Sequence, residues 1–148
     1  MQKKSIKPII GRIEKIDFPE FSIYNLDAKV DTGAYTSSLH CHHIESFDKD
    51  GQQWVRFKVL DPEHPEYEEI SYNCPIHSIR TVKSSNGQIE KRFTIKRQAK
   101  FFDKTKVIEL TLTDRSEMKY PVLIGRKFLT DKYLVDVSKI YLSHKESQ

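Results

Sequence analysis

Short runs in which apolar and polar residues alternate recur along this chain of 148 residues, and they limit it to folds built on half-buried strands. In Trp54 to Leu60 the side chains of Val55, Phe57 and Val59 share one face. In Val107 to Thr113 the set Val107, Glu109 and Thr111 opposes Ile108, Leu110 and Leu112. A strand with one apolar face must cover that face against another sheet or close into a barrel. Asp48-Lys49-Asp50-Gly51 and Ser84-Ser85-Asn86-Gly87 read as hairpin tips, because Gly and Asn tolerate the positive φ of tight hairpin turns. Pro62 and Pro65 remove backbone donors and mark Asp61 to Tyr67 as a loop. One short helix is expected at Lys127 to Lys132, directly after Gly125. The expected architecture is all-β, with one short C-terminal helix, in a single domain over residues 1–148.

Composition adds exclusions. With 37% hydrophobic and 31% charged residues, the chain suits one soluble domain with an ordinary core. Met1 to Ile10 has lysines but no apolar segment of the secretory kind, and Val122 to Ile124 is far too short to span a bilayer, so a cytoplasmic address is expected. Cys41 and Cys74 then read as reduced thiols rather than a disulfide framework. Glycines at 11, 33, 51, 87 and 125 cannot form a P-loop, a G-x-G-x-x-G turn or a G-x-S-x-G elbow, and H-E-x-x-H is absent. Any ATP dependence would therefore belong to a partner protein.

The segment with chemical content is Ala28-Lys29-Val30-Asp31-Thr32-Gly33-Ala34. An aspartate that ends an apolar strand before a hydroxyl residue and a glycine places its carboxylate at a tight turn. Backbone amides and the Thr hydroxyl can orient it there, and such a carboxylate can act on water. Taken alone, the tripeptide reads most simply as a strand ending in an Asx turn. A second element changes the weighting: Tyr120-Pro121-Val122-Leu123-Ile124-Gly125-Arg126 is an apolar strand ending in Ile-Gly-Arg ahead of the short helix.

Asp-Thr-Gly-Ala followed near the C-terminus by hydrophobic-hydrophobic-Gly-Arg resembles the retroviral-type aspartic proteases, the retropepsins. From about Ile10 to Leu142 the chain is more closely similar to a bacterial retropepsin-like family, once named ATP-dependent zinc proteases and associated with ATP-grasp ligases that add glutamate to ribosomal protein. The pattern is carried by Lys29 to Ala34, Ser37-Ser38-Leu39-His40, Trp54 to Phe57, Leu112-Thr113-Asp114-Arg115, Leu123 to Arg126 and Val135-Asp136. The resemblance implies a closed acid-protease barrel. It implies that Asp31 is the catalytic aspartate, Thr32 a brace between paired loops of a dimer, and Gly33 the turn glycine, with Ala34 beside it. It also implies that Gly125 packs beneath the active-site loop and that Arg126 ties the helix to it. The acidic residue that partners this arginine in many retroviral enzymes is replaced here by Tyr35, so Asp114 or Asp136 is the expected partner.

Two carboxylates about 3 Å apart share one proton, so the pair can act as base toward water and acid toward a carbonyl oxygen. One Asp-Thr-Gly supplies one carboxylate, and a homodimer would supply the second across a two-fold axis. Asp136 is the in-chain alternative, the other Asp that ends a short apolar run.

Two further features need weighing. His40, Cys41, His42 and His43 are consecutive, and Cys74-Pro75-Ile76-His77 gives C-x-x-H, so zinc held by His40, His42, Cys74 and His77 is an alternative to a metal-free site. Arg80 to Lys106 carries nine basic residues against two acidic ones, whereas Asp61 to Glu69 carries five acids and no Lys or Arg. The plain reading of the basic run is a solvated hairpin face. A nucleic-acid platform fits poorly, because Phe93, Phe101 and Phe102 keep strand and core spacing. The sharper reading follows the resemblance: the hairpin tipped by Asn86-Gly87 is a flap, and Arg80, Lys83, Lys91 and Arg92 attract an acidic or glutamate-rich peptide. A non-catalytic peptide-binding module is the remaining alternative.

Overall fold

The structure is a computed structural model and describes residues 6–83, 86–114 and 119–143. Ser84, Ser85 and Arg115, which belong to two of the sequence patterns above, lie outside the described residues. In chain order the strands are β1 (Ile9–Ile10), β2 (Ile13–Phe18), β3 (Ile23–Val30), β4 (Ser37–Lys49), β5 (Gln52–Val59), β6 (Ser71–Pro75), β7 (Ser78–Lys83), β8 (Ile89–Phe101), β9 (Lys104–Thr113), β10 (Val122–Ile124) and β11 (Leu134–Val135). Helix α1 spans Arg126–Leu129.

Six strands close a barrel in the order β10-β3-β2-β8-β9-β4, with β4 returning to pair β10. This is the all-β closed barrel that the motif pair implies. Two pairings in the ring are parallel, β10 with β3 and β4 with β9. The C-terminal half of β4 leaves the barrel and forms an antiparallel sheet with β5 and β6, while β7 extends the barrel wall by pairing β8. The switch falls between His42 and Glu45, where the register shifts and His43 takes φ 52°.

The alternation in sequence becomes inside and outside. Val55, Phe57 and Val59 are buried, as are Ile108, Leu110 and Leu112 on β9. Phe18, Phe57 and Phe101 are the largest fully buried side chains, and each such burial stabilises by about 2–3 kcal/mol. Phe101 also packs edge-on against Phe128 and Tyr133, with ring centroids 5.7 and 5.4 Å away, which pins α1 to the barrel.

Asp50 and Gly51 both have positive φ, the conformation of a two-residue hairpin turn. A second two-residue hairpin, Phe102-Asp103, joins β8 to β9 with φ of 53° and 59°. It contains no glycine, and Phe102 is held there by ring contacts with Phe101 and Tyr133. The helix is one turn and begins one residue before the expected start. It stops because Thr130 is extended and Asp131 has φ 66°.

The first and last described segments are joined at Glu14. Glu14 is fully buried on β2, and its carboxylate accepts hydrogen bonds from the Gly11, Leu142 and Ser143 amides and from the Ser143 hydroxyl. Among the described residues no helix is long and apolar enough to cross a membrane.

Candidate active site

The parallel pairing of β3 with β10 sets Val30 opposite Ile124, so the two strands end at one level. The Asp31 amide donates to the Ile124 carbonyl oxygen at 2.9 Å, which holds Asp31 at the barrel rim as the chain turns away. Asp31 Oδ1 then accepts the Gly33 amide at 3.1 Å, and its carbonyl oxygen accepts the Ala34 amide at 3.2 Å. The carboxylate is thus oriented by an Asx turn, on a half-buried residue next to the exposed Thr32 and Gly33.

The second motif lies directly beneath this turn. A side chain at Gly125 would come within 2.7 Å of the Tyr35 carbonyl oxygen and 2.8 Å of the Thr36 carbonyl carbon, so only glycine fits. The Gly125 amide donates to Ser37 Oγ, and the Arg126 and Lys127 amides donate to the carbonyl oxygens of Ala34 and Tyr35. Amides that a helix start leaves unpaired are thereby satisfied by the carbonyls of the aspartate loop. Arg126 reaches further: Nη1 donates to the Thr32 carbonyl oxygen at 2.8 Å, and the guanidinium sits 5.8 Å from the centre of the Tyr35 ring. The expected acidic partner, Asp114 or Asp136, is therefore corrected to a backbone carbonyl and an aromatic face. The Asp136 carboxylate is engaged by the amide and hydroxyl of Ser138 instead.

Asp31 opens onto a cleft of about 310 Å³. Ser38, Thr111, Thr113 and Leu123, from the outer faces of β4, β9 and β10, form its floor, with Ala34, Tyr35 and Thr36 beside Asp31. The β7–β8 hairpin forms the facing wall through Arg80, Val82 and Arg92. Arg80 and Arg92 are a cross-strand pair, whereas Lys91 stands opposite Thr81 and Lys83 opposite Ile89. Strand alternation directs Lys83 and Lys91 to the other side of the hairpin, so two of the four expected basic residues reach the cleft and two do not. Asp136 is not among the lining residues.

The four candidate zinc ligands are not brought together. His42 Nδ1 bonds the Leu60 carbonyl oxygen, Cys74 is buried with Sγ accepting from Arg97, and His77 faces Glu109 across 3.1 Å. His40 is buried, with Nε2 3.9 Å from Asp61. Among the described residues no group of three or more His, Cys, Asp or Glu side chains is arranged to hold a metal ion. Burial pushes the Cys74 thiol above its ordinary pKa despite Arg97, and pushes Cys41 well above it.

Sequence reasoning missed the floor of the cleft and the platform under Arg126. Thr111 and Thr113 occupy the polar side of an alternating strand, which was the available signal. Tyr35 was noticed as the replacement for an acidic partner of the arginine, but that its ring itself faces Arg126, 91 positions away, had no local signal.

A family model described as "RimB-like: Retropepsin-like aspartic endopeptidase RimB" matches residues 9–146. The chain belongs to this family. RimB-like sequence also occurs within longer proteins. A "Probable alpha-L-glutamate ligase" of Desulfotalea psychrophila is 37% identical over 92% of this chain, and one of Shewanella halifaxensis is 39% identical over 91%. The chain spans only 29% and 30% of those relatives' lengths. Among solved structures, a Legionella pneumophila protein of unknown function superimposes with a TM-score of 0.75. It is 29% identical, and the match covers 92% of this chain and 98% of that one. The RimB-like barrel described here is therefore shared at nearly full length with a structure solved by crystallography.

Proposed function

We propose that this chain is an aspartic endopeptidase that works as a homodimer, with Asp31 and its copy from a second chain forming the catalytic pair. The observation that carries the reading is the setting of Asp31: a carboxylate fixed by its own turn, on a loop that packs over Gly125 and Arg126, and open to a cleft of about 310 Å³. Two such carboxylates hold one proton between them, because both cannot ionise at close range. The ionised one takes a proton from water as its oxygen adds to the peptide carbonyl carbon, and the protonated one gives its proton to the carbonyl oxygen. Collapse of the tetrahedral diol breaks the C–N bond: the carboxyl that took the proton from water gives it to the departing nitrogen while the other takes the proton of one diol hydroxyl, which restores the one-proton pair. No acyl-enzyme forms.

Arg80 and Arg92 give the cleft a preference for acidic substrate, and glutamate-tailed protein is the proposed class. The relatives named as glutamate ligases support this reading, since they carry a matching segment within a longer chain. A ligase of that kind is the proposed functional partner, and any use of ATP would be the partner's.

The decisive experiment is cleavage of glutamate-tailed peptides by the wild-type chain and by Asp31→Asn, each with and without excess chelator. Loss of cleavage on substitution and none with chelator is expected. Cleavage that survives Asp31→Asn overturns the aspartic mechanism, and cleavage lost only to chelator replaces it with a metal-dependent one. Binding without cleavage by the wild type leaves a peptide-binding module. Sedimentation of the active species tests the dimer, which a strictly monomeric active enzyme would refute.

A further inference from the structure

A second hollow, of about 290 Å³, opens on the same outer face of β8 and β9, beyond the Asp31 cleft. Lys96, Lys127 and Lys132 border it, and Val107, Ile108 and Phe128 supply apolar surface. Its one lining carboxylate among the described residues, Glu109, already binds Lys127 at 2.8 Å and faces His77 at 3.1 Å. Three ammonium groups against one carboxylate leave an excess of positive charge, which favours an anionic ligand. The two hollows adjoin. Ser37 lines this one and Ser38 the other, and the Lys127 amide bonds the carbonyl of Tyr35, a residue of the Asp31 cleft.

The spacing along β8 and β9 supplies a ruler. Arg92 and Lys96 lie four positions apart on β8 and project from one face, and Thr111 and Glu109 continue the same face of β9 from the first hollow into the second. Four residues of strand span about 13 Å, and an extended peptide lying along the sheet has the same rise. Side chains four apart on such a peptide point the same way and would meet the two basic ends together.

We propose that the pocket bordered by Lys96, Lys127 and Lys132 is a second carboxylate subsite, which holds an acidic side chain of the substrate four residues from the one held at Arg80 and Arg92. The proposal rests on the peptidase reading only for the identity of the occupant as substrate. The subsite makes the enzyme a reader of carboxylate spacing as well as of charge. An isolated glutamate gains one anchor, whereas an unbroken acidic tail occupies both in several registers.

Calorimetric titration of the full-length Asp31→Asn protein tests this without turnover. The probes are eight-residue Ser/Gly peptides carrying one glutamate, two glutamates two apart, or two glutamates four apart. The four-apart peptide should bind about three- to tenfold more tightly than the single-glutamate peptide, as two exposed ion pairs allow, with a smaller gain for the two-apart peptide. Adding Lys96→Gln and Lys132→Gln should remove that gain, so that the four-apart and single-glutamate peptides bind alike. Lys96→Glu alone, checked by thermal melting, serves if the double variant folds poorly. Equal affinity for the three peptides, no binding at millimolar peptide, or a gain that survives the lysine substitutions overturns the subsite. Wild-type cleavage assayed in parallel separates the readings: cleavage without spacing preference removes the subsite alone, and spacing preference without cleavage removes the peptidase alone.

Discussion

The guanidinium of Arg126 donates to the carbonyl oxygen of Thr32 at 2.8 Å while resting over the ring of Tyr35, so one side chain from the helix grips both ends of the loop that carries Asp31. Thr32 lies at the exposed tip of that loop, where each fixed contact limits its movement. Arg126→Met keeps the length of the side chain and removes the donor and the charge. Stability should fall by only about 0.5–1.5 kcal/mol, the net worth of such a bond. Peptide cleavage should fall by about ten- to hundredfold, because small displacements of a reacting group are costly. Urea denaturation and steady-state kinetics measured together would show the split; equal losses in both would mean that Arg126 only holds the fold.

The two loop glycines should respond differently to alanine. At Gly125 the new methyl meets the backbone of Tyr35 and Thr36 at 2.7 and 2.8 Å, and neither can move without shifting the aspartate loop. Gly125→Ala should cost about 1–3 kcal/mol in urea unfolding. At Gly33 the nearest atom is Asp31 Oδ1, at 3.3 Å. Gly33→Ala should leave the unfolding midpoint nearly unchanged and act on cleavage alone.

Glu14 predicts a coupling between the segments around Gly11 and Leu142. Its buried carboxylate gathers four donors from both ends of the described chain, and no solvent is at hand to replace it. Glu14→Ala should destabilise the fold by about 2–4 kcal/mol. Hydrogen exchange should then accelerate first at the Leu142 and Ser143 amides.

His40 gives the fold a pH dependence. It is 6% exposed and its Nδ1 has no hydrogen-bond partner among the described residues. Burial lowers its pKa below the ordinary 6.5, outweighing the opposite pull of Asp114 and Asp61, and His42 adds to the lowering. The unfolded chain therefore takes up a proton below about pH 6.5 that the folded chain refuses. Stability is fully present above that pH and is lost as pH falls toward the folded-state value. Urea midpoints from about pH 7 down to about pH 5 should fall in the wild type and flatten in His40→Gln. An identical slope in both would place the titrating group elsewhere.

The fold was legible where the signal was local. Period-two alternation marked β5 and β9 with the correct faces inward, and Asp50-Gly51 marked its hairpin, because these depend on neighbouring residues alone. The Phe102-Asp103 hairpin gave no such signal. Its turn has no glycine and is held by packing against Tyr133, 31 positions away. The basic run shows the same division. Its charge was plain, but which of Arg80, Lys83, Lys91 and Arg92 face Asp31 depends on the register of β7 against β8.

By itself, the sequence determined the strand-rich class and the position of a turn-borne carboxylate at Asp31, because backbone conformation and side-chain alternation are properties of short segments, whereas Gly125 beneath that turn came from the resemblance to the retropepsins. The tertiary structure alone decided that Arg126 has a carbonyl and a ring for partners, that His40, His42, Cys74 and His77 are held apart, and that two basic hollows adjoin along β8 and β9. Those relationships join residues far apart in the chain, and they are set by the pairing of β10 with β3 and β4 and of β8 with β7 and β9, which no short segment specifies.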